Sequence, residues 1–457
     1  MTSEVSVFQV RRARGAILPR EQGQRAGRRT GSRMGRPVIG ISADDLTGAA
    51  DTAAALARPG QPVPVSLDSR PRSEAGKRAF AVTTNTRACP PEVVYERALE
   101  SIRALKAAGA GMIYKKVDSN LRGNIGAELA AVAEAVGGPV LFAPAFPARE
   151  RTTVQGICLV CGTPVAETEM AQDPEAPVTE SDVIALLRGQ REDLETYACP
   201  LSVVRAGPRA LRMSIPERGV LVIDAETDAD LDLVSEVALS FDPAPALAGS
   251  AGLAGALARR LWGPAASPRW PAERFGHSLA VLASSSAMLA TQVETAAKVG
   301  FATIPFPCQR LTREDQPLPE LAQAIQSAVE ELRAGRDAVV YATGALPLAE
   351  RPVELVVEHL AHLAYVVARE AEPNGLLVGG GSTAQAVLEA LGVEALGIDD
   401  EPIPGIAGGL IVGGQLAGRP VALKPGAAGA ETAIVQLLDY LSHRSPVGQV
   451  LRAEAQG

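Results

Sequence analysis

Tyr114-Lys115-Lys116-Val117-Asp118-Ser119-Asn120-Leu121-Arg122-Gly123-Asn124-Ile125-Gly126 crowds charged and amide side chains directly ahead of a helical pattern at 127–136. The apolar residues before it, from Met112 to Lys115, read as a strand. A polar, cation-rich loop therefore runs from the end of a strand into the start of a helix. In open α/β sheets the carboxyl ends of strands are where ligands bind. Backbone amides at a helix start favour an anion. Lys115, Lys116 and Arg122 add full positive charge where a carboxylate or phosphate would sit.

Working outward, short apolar runs alternate with helical patterns from residue 37 onward. Strands are expected at 38–42, 63–67, 79–83, 112–115, 139–143, 201–204 and 220–224. Helices are expected between them at 49–57, 92–108, 127–136 and 228–240. Such alternation implies parallel βαβ units. Pro and Gly thicken between Asp242 and Pro271, and the pattern then resumes through 279–283, 301–304, 338–342, 375–378 and 419–423. The expected fold is α/β in two domains, 37–245 and 246–443. Each is a mainly parallel sheet flanked by helices, with a ligand cleft between them.

At 457 residues the chain exceeds one ordinary core, and 47% hydrophobic with 21% charged residues is a globular composition. A net charge of −8 leaves no broad basic field for nucleic acid. No stretch approaches the ~20 apolar residues of a membrane span, so the cytoplasm is the expected location. Cys158 and Cys161 form a lone C-x-x-C without a nearby histidine, and no protein metal site is expected. Residues 1–36 carry nine arginines against two acids. They read as an extension or as sequence upstream of a start at Met34, and 444–457 read as a tail.

Several further strand ends carry chemistry. Ser42-Ala43-Asp44-Asp45-Leu46-Thr47 sets two carboxylates ahead of a helix. Asp45 or Thr47 can cap that helix, but one cap needs one residue. A spare carboxylate there can orient or deprotonate a hydroxyl, or hold magnesium. Thr84-Asn85-Thr86-Arg87 offers Arg87 as a bidentate carboxylate clamp. The loop 143–149 adds rigid prolines and Arg149, and Arg151 follows it. In the second half, Ser284 to Ser286, Gly379-Gly380-Gly381-Ser382-Thr383 and Lys424-Pro425-Gly426 all follow strands. Their hydroxyls, glycine amides and lysine suit phosphates. The glycine turn matches neither the P-loop nor the dinucleotide fingerprint. The long Gly-rich connection 402–418 reads as a cover over a base or as a lid.

Together these motifs resemble the four-carbon acid sugar kinase family. Its A-D-D-L-T-G opening stands at 43–48, its T-N-S-R element at 84–87 with Thr86 for serine, and its K-K-x-D-S-T-L-R-G-N block at 115–124 with Asn120 for threonine. A-P-A-F-P is intact at 143–147 and G-S-A-G-L-A at 249–254. The nucleotide half departs further. Its G-S-x-S turn begins at Ala283, its acid-bearing glycine turn has Ser382, and its K-S-G-x-F-G loop keeps only Lys424, Gly426 and Gly429.

The resemblance implies ATP-dependent phosphorylation of a terminal hydroxyl on threonate, erythronate or a 3-oxo-tetronate, with Mg2+ accompanying ATP. Asp45, Lys116, Asp118 and Arg122 are the expected catalytic group. Asp44, Asn85, Arg87, Lys115, Ser119 and Asn124 are expected around the sugar acid. Ser284, Ser286, Gly380, Gly381, Ser382, Thr383, Lys424 and Gly426 are expected at ATP. A homodimer is compatible with the sequence. The alternatives are a weakened homologue acting as a sensor or translocated protein, and a dehydrogenase, against which the missing fingerprint counts.

Overall fold

Runs of Ile, Val, Leu and Ala with few polar interruptions make strands buried on both faces, and Ile39–Ala43 and Met112–Lys116 are buried at every residue. A computed structural model describes residues 36–444, apart from 59, 72–76, 265–273, 285, 310, 312–318, 345–351 and 427. The Arg-rich start with Met34, Ser285, and residues 445–457 of the expected tail lie outside the described residues.

In chain order the first half holds β1 (Ile39–Ala43), α1 (Leu46–Leu56), β2 (Val63–Ser66), β3 (Ala79–Thr83), α2 (Pro91–Ala107), β4 (Met112–Lys116), α3 (Ile125–Val136) and β5 (Pro139–Ala143). There follow β6 (Arg151–Val154), β7 (Ile157–Val160), β8 (Thr163–Pro164), α4 (Val183–Gln190), β9 (Thr196–Cys199), α5 (Leu201–Arg205), α6 (Pro208–Ser214), β10 (Gly219–Ile223), α7 (Asp228–Ala238), β11 (Ala246–Gly249) and α8 (Ala251–Trp262). The second half holds β12 (Ser278–Leu282), α9 (Ala287–Lys298), β13 (Ala302–Pro307), α10 (Pro319–Arg333), β14 (Ala338–Thr343), α11 (Pro352–Ala371), β15 (Gly375–Gly379) and α12 (Gly381–Ala390). It closes with β16 (Ala395–Ile403), β17 (Ile406–Val412), β18 (Pro420–Lys424) and α13 (Ala433–Ser442).

The fold is α/β, with helices flanking a mainly parallel sheet. Strands β2-β3-β1-β4-β11-β5-β10-β9 form one parallel set and β13-β14-β12-β15-β18 another. An antiparallel relay, β18-β17-β16-β2, joins them into one sheet of 15 strands. On one face a single hydrophobic cluster runs across both sets, from Leu211 and Val234 to Val340 and Leu360. Helix α1 is the keystone of that face. It packs on β1, β2 and β3, and also on β16, β17 and α12. The opposite face carries separate clusters for each half. No helix of the described residues is long and apolar enough to cross a membrane.

Three expectations need correction. Leu201–Val204 is helix, not strand: Pro200 sits at its N-cap, β9 is already spent pairing with β10, and Arg205 holds Asp230 and Glu226. A four-residue apolar run is ambiguous by periodicity alone. The Gly-rich connection 402–418 is largely hairpin. Gly408 lies under the Tyr440 ring and Gly409 against the Gly397 carbonyl, leaving no room for side chains, so these glycines serve strands. Finally, β11 inserts between β4 and β5, so 246–262 belong to the first parallel set and the passage between halves lies beyond α8, not at 245.

Candidate active site

Because the first set is parallel, β1, β3, β4, β5 and β11 deliver their carboxyl ends to one edge. At the end of β1, Asp45 caps α1, accepting from the Gly48 amide at 2.9 Å and from the Thr47 hydroxyl at 2.5 Å. Capping and a further role therefore coexist in one carboxylate. Arg87, after β3, donates from Nη2 and Nη1 to Asp45 at 2.8 and 3.1 Å, and from Nε to Asp44 at 2.6 Å. Burial alone would raise the Asp45 carboxyl, but Arg87, Lys116 and Thr47 outweigh it and hold it below the usual range. Asp44 Oδ1 is sealed from solvent without a hydrogen-bond partner among the described residues.

At the end of β4 the alternation of side chains separates the two lysines. Lys116 lines a small cavity. Lys115 faces the other side of the sheet, fully buried, with Nζ 2.6 Å from Glu128 of α3. That pair is close enough for an ion pair but off-line for a hydrogen bond. Lys116 has no ion-pair or hydrogen-bond partner among the described residues. Asp118 accepts from Arg122 Nε at 2.8 Å and Nη2 at 3.2 Å, and Arg122 also reaches Asp173 at 3.0 Å. Burial would raise Asp118, yet Arg122 and Arg87 drive it far below the carboxylate range. The cavity these groups share measures about 50 Å³, room for a water or two. Its wall is completed by Thr47, Gly48, Asp51, Ser119, Phe146, Arg149, Ser250, Ala251 and Pro425.

Pro425 belongs to the second half, and so does the nearest glycine turn. A Cβ on Gly381 would stand 2.9 Å from Asp45 Oδ2, so the start of α12 meets the start of α1 with only glycine between. Gly380 precedes it at φ 99°, and Thr383 is buried behind the turn. Lys424, at the end of β18, is buried and donates to the Gly426 carbonyl at 2.6 Å. Burial, with Arg149 nearby, lowers its ammonium to about 8. Gly426 abuts Ser284, whose hydroxyl accepts from the Ser286 amide, and Ser286 caps α9.

The cavity thus gathers Asp45, Arg87, Lys116, Asp118, Ser119 and Arg122, with Asp44 one bond behind. It does not gather Lys115, which serves Glu128. Asn85 is exposed at φ 47°, a left-handed turn position that asparagine tolerates. Asn124 binds the Cys89 carbonyl at 2.8 Å and holds the Arg87 loop. Ser382 donates to Glu175 of the first half at 2.8 Å. Asn120, the substituted position, accepts from Arg151 at 3.2 Å. Two wall residues had a readable signal. Asp51 is a lone acid in an alanine-rich helix, one turn beyond Thr47, and Arg149 stands in the proline loop. Arg149 donates to the Pro404 carbonyl at 3.1 Å, so the β16–β17 turn docks on the first half. Ser250, the cap of α8 within the G-S-A-G-L-A stretch, was not placed at the site because its position depends on β11 entering the sheet.

Comparison with known proteins divides the chain similarly. A family model described as a sugar-binding N-terminal domain matches residues 39–257. One described as a nucleotide-binding C-terminal domain matches 279–434. A D-threonate kinase of Salmonella typhimurium is 30% identical over 421 residues, covering 88% of this chain and 97% of that protein. A D-threonate kinase of Bordetella bronchiseptica is 31% identical over 420 residues, covering 90% and 99%. A crystal structure from Salmonella typhimurium LT2 superposes with a TM-score of 0.70 at 23% identity, covering 88% of this chain and 99% of that one, and shows the same fold.

Proposed function

The chain belongs to the four-carbon acid sugar kinase family, and from that premise we propose that it moves the γ-phosphoryl group of ATP to a terminal hydroxyl of a four-carbon sugar acid. D-threonate is the first acid to test, with erythronate and 3-oxo-tetronates beside it. The observation that carries this reading is the meeting of Lys116 and its cavity, at the first half's strand ends, with the glycine turn at Gly381.

In this reading Lys116 neutralises the acid's carboxylate, and Arg122, fixed by Asp118 and Asp173, presents its remaining N–H groups beside it. Arg87, in this reading, ties Asp44 and Asp45 into a rigid floor. The Gly380 amide is already given to the Lys424 carbonyl at 3.1 Å, so the amides of Gly381 and Thr383, the Ser284 and Ser286 hydroxyls, and Lys424 beside Gly426 would receive ATP's phosphates. Magnesium would arrive on those phosphates, which it neutralises. Among the described residues no three His, Cys, Asp or Glu side chains are grouped for a metal. Phosphoryl transfer asks chiefly for positioning and charge neutralisation. Closure of the site around the bound acid would exclude water from the transfer.

A coupled ADP-release assay over a panel of tetronic acids tests this. Turnover of one acid supports the kinase. Tight binding of ATP or a tetronate with no turnover would sink it and favour the sensor reading, to which the engagement of Ser382 by Glu175 lends weight.

A further inference from the structure

Transfer to a hydroxyl requires a group to take the hydroxyl proton. Three carboxylates line the cavity, and two of them are already committed. Asp45 caps α1 and is clamped by Arg87, and Asp118 is forked by Arg122. Strong ion pairs of this kind make poor proton acceptors.

The third is Asp51, on the second turn of α1, 7% exposed. It lies on the cavity side with Gly48, three residues earlier, and Thr47, four earlier. Neither of its oxygens accepts a hydrogen bond from a described residue, and Oδ1 is sealed from water. A buried, unsatisfied carboxylate is costly, and it persists where function requires it.

We propose that Asp51 is the general base of the transfer, an inference that rests on the kinase reading above. As the acceptor hydroxyl oxygen bonds to the γ-phosphorus, its proton passes to the Asp51 carboxylate. The bond from phosphorus to the β–γ bridging oxygen breaks, and its electron pair leaves with ADP. The neutral Asp51 then returns the proton to solvent after the products leave.

The groups facing Asp51 fit this role. Arg149 and Lys116 are its cations, Asp45 and Asp118 its neighbouring acids, with Tyr114 from β4 and Glu401 from β16. Burial pushes the Asp51 carboxyl above the ordinary aspartate range, and Arg149 and Lys116 pull it partly back. Its basicity therefore lies nearer neutrality than that of Asp45 or Asp118.

The test is the pH profile of kcat, at saturating D-threonate (or whichever panel acid is turned over) and magnesium-ATP, for the wild type and Asp51→Asn. The wild type should lose activity as pH falls through a midpoint above the ordinary ~4 of aspartate. Asp51→Asn should lose on the order of 10²–10⁴ in kcat and the acid limb with it. KM for the acid should move by less than about threefold, since binding is retained. The melting temperature should not fall, because an unpaired buried charge is removed. Wild-type turnover with Asp51→Asn within tenfold overturns the base, as does a wild-type acid limb at the ordinary value. Rescue by excess magnesium with the limb intact makes Asp51 a metal ligand and also overturns it. If Asp51→Asn does not fold, Asp51→Ser and the wild-type profile decide in the same way. Absence of wild-type turnover with every acid removes the kinase reading, and the base falls with it.

Discussion

Replacing Arg87 by methionine separates two roles for one guanidinium. In the structure it donates three hydrogen bonds to Asp44 and Asp45, with side-chain exposures of 15%, 4% and 8%. Removing one partner of a buried ion pair leaves its charge uncompensated and costs about 3–5 kcal/mol. Unfolding entropy is ~2.1 cal/mol/K per residue, or about 0.8 kcal/mol/K over roughly 400 residues, so Tm should fall by roughly 4–6 °C. Asp44→Asn in the Arg87→Met background removes one orphaned charge and should restore about 1–3 kcal/mol relative to additivity. Differential scanning calorimetry of the two single variants and the double reads this directly. A Tm within about 1 °C of the wild type, together with a large rise in KM for the acid, would refute the structural clamp and restore Arg87 to the substrate.

Lys116→Met should lower kcat/KM for the acid by about 10²-fold or more, because a charge-assisted contact in a closed site is lost. Because Lys116 also steadies the neighbouring acids, Tm should fall slightly, and a fall in Tm with unchanged kinetics would contradict the assignment of Lys116 as the ligand's cation. Lys115→Met should destabilise by about 3–5 kcal/mol, and Lys115→Met with Glu128→Leu should recover most of it, read from urea midpoints. If Lys115→Met raises KM without destabilising, Lys115 belongs to the cavity after all. Lys424 is charged below about 8 and loses its proton as pH rises through that value. kcat/KM for ATP should therefore fall above pH 8, and Lys424→Arg, which cannot titrate, should flatten that limb. A basic limb unchanged in Lys424→Arg would free Lys424 of any nucleotide role.

Most helices and strands were legible along the chain because they are local. The 3.6-residue periodicity of 91–107 and the cap at Asp45 need only neighbours within a turn or so. The failures were non-local. Leu201–Val204 read as strand because four apolar residues suit either state, and only pairing of β9 with β10 assigns it. Gly408 and Gly409 read as part of a flexible connection because the sequence does not reveal Tyr440 and Gly397 packed on them.

The site divides along the same line. From residues alone came the strand-end loops, their charges, and the kinase family they resemble. Which cation each acid consumes was decided only in three dimensions. Sidedness turned Lys115 toward Glu128 and Lys116 toward the cavity, and Arg87 and Arg122 were spent on Asp44, Asp45 and Asp118. Lys116 and Asp51 are left without an ion pair or hydrogen bond among the described residues, and the proposed chemistry rests on them. These pairs join residues from one helical turn apart, Asp118 and Arg122, to about forty apart, Asp44 and Arg87, and spacing alone does not tell which cation each acid will meet.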